Sequence, residues 1–275
     1  MFYTQDLDSD LGIKTEADKH SRYVCMQSLV KEGFIVQNPK VAKQWRFIQV
    51  DLERIDYKSN ESPIPLSITM PLGISKLVNL YPGNLVVIAG TTNAGKTALL
   101  LDLLKLNNNI PMTANYWFSE GGRDELRSRL DLCDDVSVDD WKFDAFSRSS
   151  NFEDVIVPNA LNVVDYLELG VTNDFFEVNK LLKQMVAKIG LGLLVVAIQK
   201  NSNSDYGRGG MLSAELARLY VSLDEAAGEC NARAKIMKGK AWAVKNFNPN
   251  KRECIFHIEN GWIEGHGEWV FNSQT

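Results

Sequence analysis

Residues 90–97 read GTTNAGKT, two glycines five positions apart with lysine and threonine behind the second. Each residue type has its own task around a phosphate chain. Gly90 and Gly95 let the backbone curl, so that N–H groups of Thr91, Thr92, Asn93 and Ala94 turn inward onto anionic oxygens. Lys96 brings an ammonium to the β- and γ-phosphates, and the Thr97 hydroxyl completes a Mg²⁺ shell of water and phosphate oxygens. A helix opening at Lys96, Thr97 and Ala98 adds the partial positive charge of its N-terminus. The spacing therefore predicts ATP bound with Mg²⁺. GxxxxGK(S/T) also arises by chance, and the context that confirms it is a strand before and a helix after.

Both are legible. LVVIA (85–89) is a short apolar run suited to a strand buried on both faces, and residues 97–106 place Leu99, Leu100, Leu103 and Leu104 on one helical stripe. The same alternation continues. Strands are expected at ANYWFS (114–119), LNVVDYL (161–167) and LLVVAIQ (193–199), and helices over 124–132 and 175–189, the latter with Val178, Leu181, Leu182, Met185 and Val186 inward. ARLYVSL (217–223), AKIMKGKAWAV (234–244) and ECIFHIENGWI (253–263) follow without long helices between them, as antiparallel edge strands would. The fold class is α/β, a mostly parallel sheet sandwiched by helices with antiparallel edge strands.

Ligands of such sheets gather at the carboxyl ends of the strands, which selects the remaining chemistry. Asp165 ends an apolar run and is the expected outer partner of Mg²⁺, whereas Glu168, three residues on, reads as facing solvent. Glu120 ends ANYWFSE before Gly121 and Gly122, where a carboxylate can orient or deprotonate an attacking water; otherwise it caps the next helix. Gln199 ends the fourth strand as a neutral donor able to sense the γ-phosphate, or as a plain strand-end residue.

The N-terminal region has another character. DLDSDLGI and SRYVCMQSLVKEGFI read as a short and a longer helix, the second with Val24, Leu29 and Val30 inward, and FIVQNPKVAKQWRFIQV as a hairpin with a basic tip. Helix, helix and wing resemble a winged helix-turn-helix whose first helix is missing or shortened. That points to a piece of a longer protein; a generic α+β cap is the other reading. The polar stretch DYKSNESPIP (56–65) separates the two regions. The expected organisation is a winged-helix-like module over 1–55, a linker over 56–65 and an ATPase domain over 66–275.

Composition narrows the class. The chain has 275 residues, 45% hydrophobic and 24% charged, as soluble globular proteins do. It lacks an apolar run long enough to span a membrane and a secretory leader, so a cytoplasmic location and no membrane partner are expected. Cys25, Cys133, Cys230 and Cys254 lie far apart and read as buried free thiols. The net charge is −5, yet residues 231–252 carry seven cations and no carboxylate, and residues 11–50 seven cations against three carboxylates. Two segments are thus suited to an anionic partner, or to a solvated basic face. Residues 121–154 carry ten carboxylates against five cations, a poor lid for a phosphorylated substrate, which argues against a small-molecule kinase.

The order Gly90–Thr97, Glu120, VVDYLEL (163–169), AIQKN (197–201) and GRGGMLSAELARLYVSL (207–223) resembles the RecA/DnaB-type ATPase superfamily, above all its shorter phage- or mobile-element-encoded members. The resemblance covers about residues 66–263. It implies a RecA-like P-loop core that hydrolyses ATP in replication or recombination, single-stranded or duplex DNA as partner, and a homo-oligomeric ring or filament with ATP between neighbours. It also implies a basic residue donated in trans. The usual lysine–any–arginine is here Lys238 and Lys240, point charges in place of a bidentate fork, which puts rapid turnover in doubt. Loop 201–212 stands where such proteins contact single strands, its glycines suggest mobility, and Arg208 is its one basic residue. No counterpart of the separate helical assembly domain is present, which keeps open a non-unwinding loader or nucleotide switch.

Overall fold

The computed structural model describes residues 1–49, 57–58, 62–167 and 175–271, and divides the chain into two compact units, Met1–Ser62 and Pro63–Thr275. The expected separating stretch 56–65 lies partly outside the described residues, and Glu168 wholly so.

In the first unit, β1 (Phe2–Tyr3) leads into α1 (Thr4–Asp10) and α2 (Glu16–Lys31), and the hairpin β2 (Ile35–Gln37) and β3 (Gln44–Phe47) follows. The sheet order is β1-β3-β2. Thr15 caps α2, accepting from the Asp18 N–H at 3.2 Å while the Asp18 carboxylate accepts from the Thr15 N–H, a capping box that starts the helix well before the apolar pattern does. The inward assignment of Val24, Leu29 and Val30 is corrected. All three are exposed, and Met26 is the buried residue of α2. The core here is Met26, Ile35 and Trp45, with Phe2 and Leu7 against it, so two short strands and one helix face leave most apolar side chains of α2 without a cover.

The second unit contains β4 (Asn84–Gly90), α3 (Lys96–Leu106), β5 (Ala114–Phe118), α4 (Arg123–Asp131), β6 (Phe143–Ser147), β7 (Leu161–Leu167), α5 (Phe175–Val186), β8 (Leu193–Gln199), β9 (Leu219–Glu225), β10 (Asn231–Gly239), β11 (Arg252–Glu259), β12 (Trp262–His266) and β13 (Val270–Phe271). The strands form one sheet in the order β12-β11-β10-β9-β4-β8-β7-β5-β6, with β13 paired to β11. From β9 to β6 the pairing is parallel; β10 to β13 extend it antiparallel.

Alternate residues of each central strand feed two cores. Val86, Ile88, Val163 and Val195 pack beneath α3, while Val87, Val164 and Val196 pack against Val178, Leu182 and Met185 of α5. Both faces being covered, these strands read as unbroken apolar runs.

Three expectations change. β9 is parallel to β4 and lies inside the sheet, since residues 200–218, including a 3-10 turn at Gly210–Ala214, make the crossover that a helix usually supplies. Residues 253–263 are two strands joined by Asn260 and Gly261, both at positive φ, as a two-residue hairpin turn of this hand requires. β6 was not expected; its residues are mostly exposed at the sheet edge and lack an apolar signature. The buried-thiol reading is also corrected, for Cys25 and Cys230 are exposed and Cys254 is the buried one; all four are free. Among the described residues, no helix is long and apolar enough to cross a membrane.

Candidate functional site

The phosphate loop begins at the last residue of β4 and ends at the first turn of α3. Asn93 and Gly95 take positive φ, 61° and 83°, and reverse the chain over the strand end. A methyl group on Gly90 would meet Lys96 Cγ at 2.7 Å, and one on Gly95 would meet Ile258 Cδ1 at 2.4 Å. The φ of 83° favours glycine at position 95, and a Cβ at either position would push a neighbouring side chain aside. The N–H groups of Lys96, Thr97 and Ala98 have no backbone acceptor among the described residues and stand at the positive end of α3.

Lys96 is buried and its ammonium donates to the carbonyls of Gly90 at 3.3 Å and Thr91 at 2.7 Å. Burial lowers its pKa, while the charges of Asp165 and Glu120 oppose the shift. Those two carboxylates therefore stand near enough to Lys96 to be felt electrostatically. The ammonium is held by weak neutral acceptors that an anionic phosphate oxygen outcompetes.

Asp165 sits on β7, in register with Phe118 of β5, and is 2% exposed. Tyr116 donates to its Oδ2 at 2.6 Å, and the Thr97 hydroxyl is close enough to favour the charged carboxylate. Burial pushes the carboxyl above its ordinary value; the Tyr116 bond and the Thr97 hydroxyl, then the charges of Arg129 and Lys96, pull it back. A hydroxyl close to a buried carboxylate, beside the phosphate loop, is an all-oxygen donor set of the kind that suits Mg²⁺ with phosphate, so the residues present fit the expected ion. Glu120 follows β5 by two residues on the same strand-end rim and is exposed. The rim is held by Ser119, whose N–H donates to the Asp165 carbonyl at 2.8 Å and whose Oγ accepts from the Tyr166 N–H at 3.0 Å.

Gln199 ends β8 opposite Gly90, and its Nε2 donates to Thr92 Oγ1 at 2.9 Å. The next residue, Lys200, is buried. Its N–H donates to the Gly90 carbonyl at 3.0 Å and its ammonium contacts Asp224 Oδ1 at 2.6 Å and the Ser204 carbonyl at 2.8 Å. The loop expected to be mobile is tied down here. Asp205 pairs with Lys235 at 3.1 Å, and the Gly207 N–H donates to the Tyr220 hydroxyl at 2.8 Å.

Lys238 and Lys240 do not join this group. Lys238 pairs with Tyr220, near the amino end of β9, and the Lys240 N–H bonds the Arg218 carbonyl. The phosphate loop stands at the carboxyl ends of the same strands; Tyr220 faces Val87, so Lys238 lies three residues or about 10 Å from Gly90 along the sheet, and Lys240, beside Arg218, about 17 Å. The Lys238 ammonium donates to the carbonyls of Ala214 at 2.5 Å and Glu215 at 2.9 Å. Its pKa is lowered by burial, then by Lys240 and Arg218.

No protein-family model matches the sequence, and no curated protein matches it significantly. Solved structures do match. One is the crystal structure of the RadB recombinase, which shares 16% of its residues with this chain at a TM-score of 0.51, over 67% of this chain and 92% of that one. The likeness is one of fold. It shows that the mostly parallel sheet and its helices share the fold of that protein.

Several participants are not evident from the sequence. Tyr116 lies in an apolar strand, 49 residues from the carboxylate it bonds. Ile258 and Phe256 approach Gly95 from β11, and a cavity of about 320 Å³ beside the loop is lined by Asn93, Glu225, Cys230, Asn231 and Ile258 among others. The pair Lys200 and Asp224 had no sequence signal beyond its two charges.

Proposed function

We propose that this chain is a Mg²⁺-dependent, DNA-associated ATPase. The observation that carries the reading is the convergence, at the carboxyl ends of β4, β5, β7 and β8, of the Lys96 ammonium, the Thr97–Asp165 pair, Glu120 and Gln199. In this reading Lys96 and the loop amides hold the phosphates, and Gln199 turns from Thr92 toward the terminal one. Glu120 orients the attacking water and accepts its proton. Thr97 and Asp165 would hold Mg²⁺, which neutralises the charge of the transferred phosphoryl group. A cation for the same phosphoryl group would come from the opposite end of the sheet of a second copy, where Lys238 and Lys240 stand, so turnover depends on self-association. Within the first unit, residues 11–50, with seven cations against three carboxylates, and the α2 and β2–β3 elements they form are assigned the duplex contact of a winged-helix-like module.

Steady-state ATPase measurements with and without single-stranded DNA test this. Turnover is expected to need Mg²⁺ and to fall about 10²–10⁴-fold in Glu120→Gln. An unchanged rate in that variant would remove Glu120 from the mechanism.

A second reading, a loader or nucleotide switch that does not unwind DNA, is favoured by one observation. The Lys238 ammonium is engaged by two carbonyls of its own chain, and must leave them before it can serve a neighbour. Slow, DNA-independent hydrolysis with ATP-dependent assembly would select it.

A further inference from the structure

Of the seven cations of residues 231–252, Lys238 is held by the carbonyls of Ala214 and Glu215, and the other six fall into two groups. In the amino-terminal half of β10, between β9 and β11, Arg233 stands 3.7 Å from Asp224, and Lys235 stands 3.1 Å from Asp205 and 3.7 Å from Glu253. These charges are neutralised internally. At the other end of the strand, Lys240, Lys245, Lys251 and Arg252 have no ion pair among the described residues, and residues 238–252 contain no carboxylate.

The connection between β10 and β11 that carries them has a fixed backbone. Its carbonyl at Ala241 accepts from the Asn79 N–H at 2.8 Å, its Ala243 N–H donates to the Leu77 carbonyl at 2.9 Å, and its Lys251 N–H donates to the Ile236 carbonyl at 2.7 Å. Trp242 is 42% exposed, with its indole anchored to the Gly239 carbonyl at 3.1 Å. The Arg252 guanidinium lies 3.9 Å over the ring of Phe247. Uncompensated cations interleaved with an exposed, fixed aromatic ring have the composition that grips single strands: charge follows the phosphates and rings stack on bases. Loop 201–212 offers much less, with one basic residue and an acidic one, Asp205, committed to Lys235.

We propose that the β10–β11 connection binds single-stranded nucleic acid, with Trp242 stacking on a base and Lys245 and Lys251 contacting flanking phosphates. The site is separate from the nucleotide-binding end of the sheet, and the inference stands whether or not the chain hydrolyses ATP.

Fluorescence anisotropy of the full chain with labelled oligothymidylate and oligouridylate, over a range of salt, tests it. Lys245→Ala combined with Lys251→Ala is expected to weaken binding at least about tenfold and to reduce the slope of log affinity against log salt by about 1.4, some 0.7 per lost phosphate contact. Trp242→Ala is expected to cost roughly tenfold, with most affinity retained in Trp242→Phe. ATP-analogue binding, read in the same preparations, stays at the wild-type level. A loss confined to one of the two oligonucleotides supports the site and identifies DNA or RNA as its ligand. Wild-type affinity and salt slope in the double lysine variant, whose side chains are exposed and do not support the fold, would overturn the proposal. So would a fall in assembly mass without any change in oligonucleotide affinity, which would make this face a contact between copies.

Discussion

Gln199 Nε2 donates a hydrogen bond of 2.9 Å to Thr92 Oγ1, joining the end of β8 to the phosphate loop across 107 residues of sequence. The carboxamide thus stands where a terminal phosphate would displace the threonine as its partner. Gln199→Ala is expected to lower kcat about 10- to 100-fold with KM changed by less than about threefold, the pattern of a contact made mainly in the transition state. Thr92→Ala, which removes only the resting partner, should keep near wild-type turnover. Equal losses of kcat in both would show that the hydrogen bond itself is what matters.

Burial raises the Asp165 carboxyl above its ordinary value. Just above the usual carboxylate range, the folded chain therefore keeps a proton that the unfolded chain has released. The folded state binds more protons there, so this group's contribution to stability falls as pH rises through that window. Asp165→Asn should remove that dependence and raise the Tm at neutral pH by roughly 3 °C per kcal/mol relieved, while lowering Mg²⁺-dependent turnover about a hundredfold or more. Thermal unfolding without nucleotide across a pH series, alongside turnover, checks both halves; a lower Tm would contradict the burial argument.

The Lys200 side chain is 1% exposed and meets Asp224 at 2.6 Å. Asp224→Ala strands a buried cation and is expected to destabilise the fold by about 3–5 kcal/mol. Replacing both partners, Lys200→Met with Asp224→Leu, should recover most of that loss. Denaturant midpoints of Lys200→Met, Asp224→Leu and the double variant measure the coupling, and an additive double variant would refute it.

Gly95 combines a φ of 83° with a neighbour, Ile258 Cδ1, that lies 2.4 Å from where a methyl would sit. Gly95→Ala should cost about 1–3 kcal/mol in backbone strain alone and weaken ATP-analogue binding at least about tenfold, since every tenfold is about 1.4 kcal/mol. Adding Ile258→Ala relieves the clash and leaves the φ penalty, so affinity should return only in part. Isothermal titration of the single and double variants separates the two contributions.

The sequence carried the nucleotide end of the sheet because the signals there are local. Residues 90–97 hold their own geometry, and Asp165 and Gln199 close apolar runs that fully buried strands must have. What the sequence could not carry was non-local or unpatterned. The direction of β9 depends on a crossover built from a loop and a 3-10 turn, which leaves no 3.6-residue period. β6 is an exposed edge strand without alternation. Val24, Leu29 and Val30 have helical apolar spacing, but the first unit has too few elements to cover them, so periodicity indicated a core that the packing does not form. The Tyr116–Asp165 and Lys200–Asp224 pairs are visible only once the strands are side by side.

Consecutive residues of a strand face opposite sides of the sheet, and Gln199 and Lys200 are consecutive. The first leans on the phosphate loop beside α3; the second is bolted to Asp224 on the side of α5 and holds the carbonyl of Ser204. One peptide unit is therefore a through-the-sheet fastening, with the phosphate loop tied to it on one face and the 201–207 segment on the other.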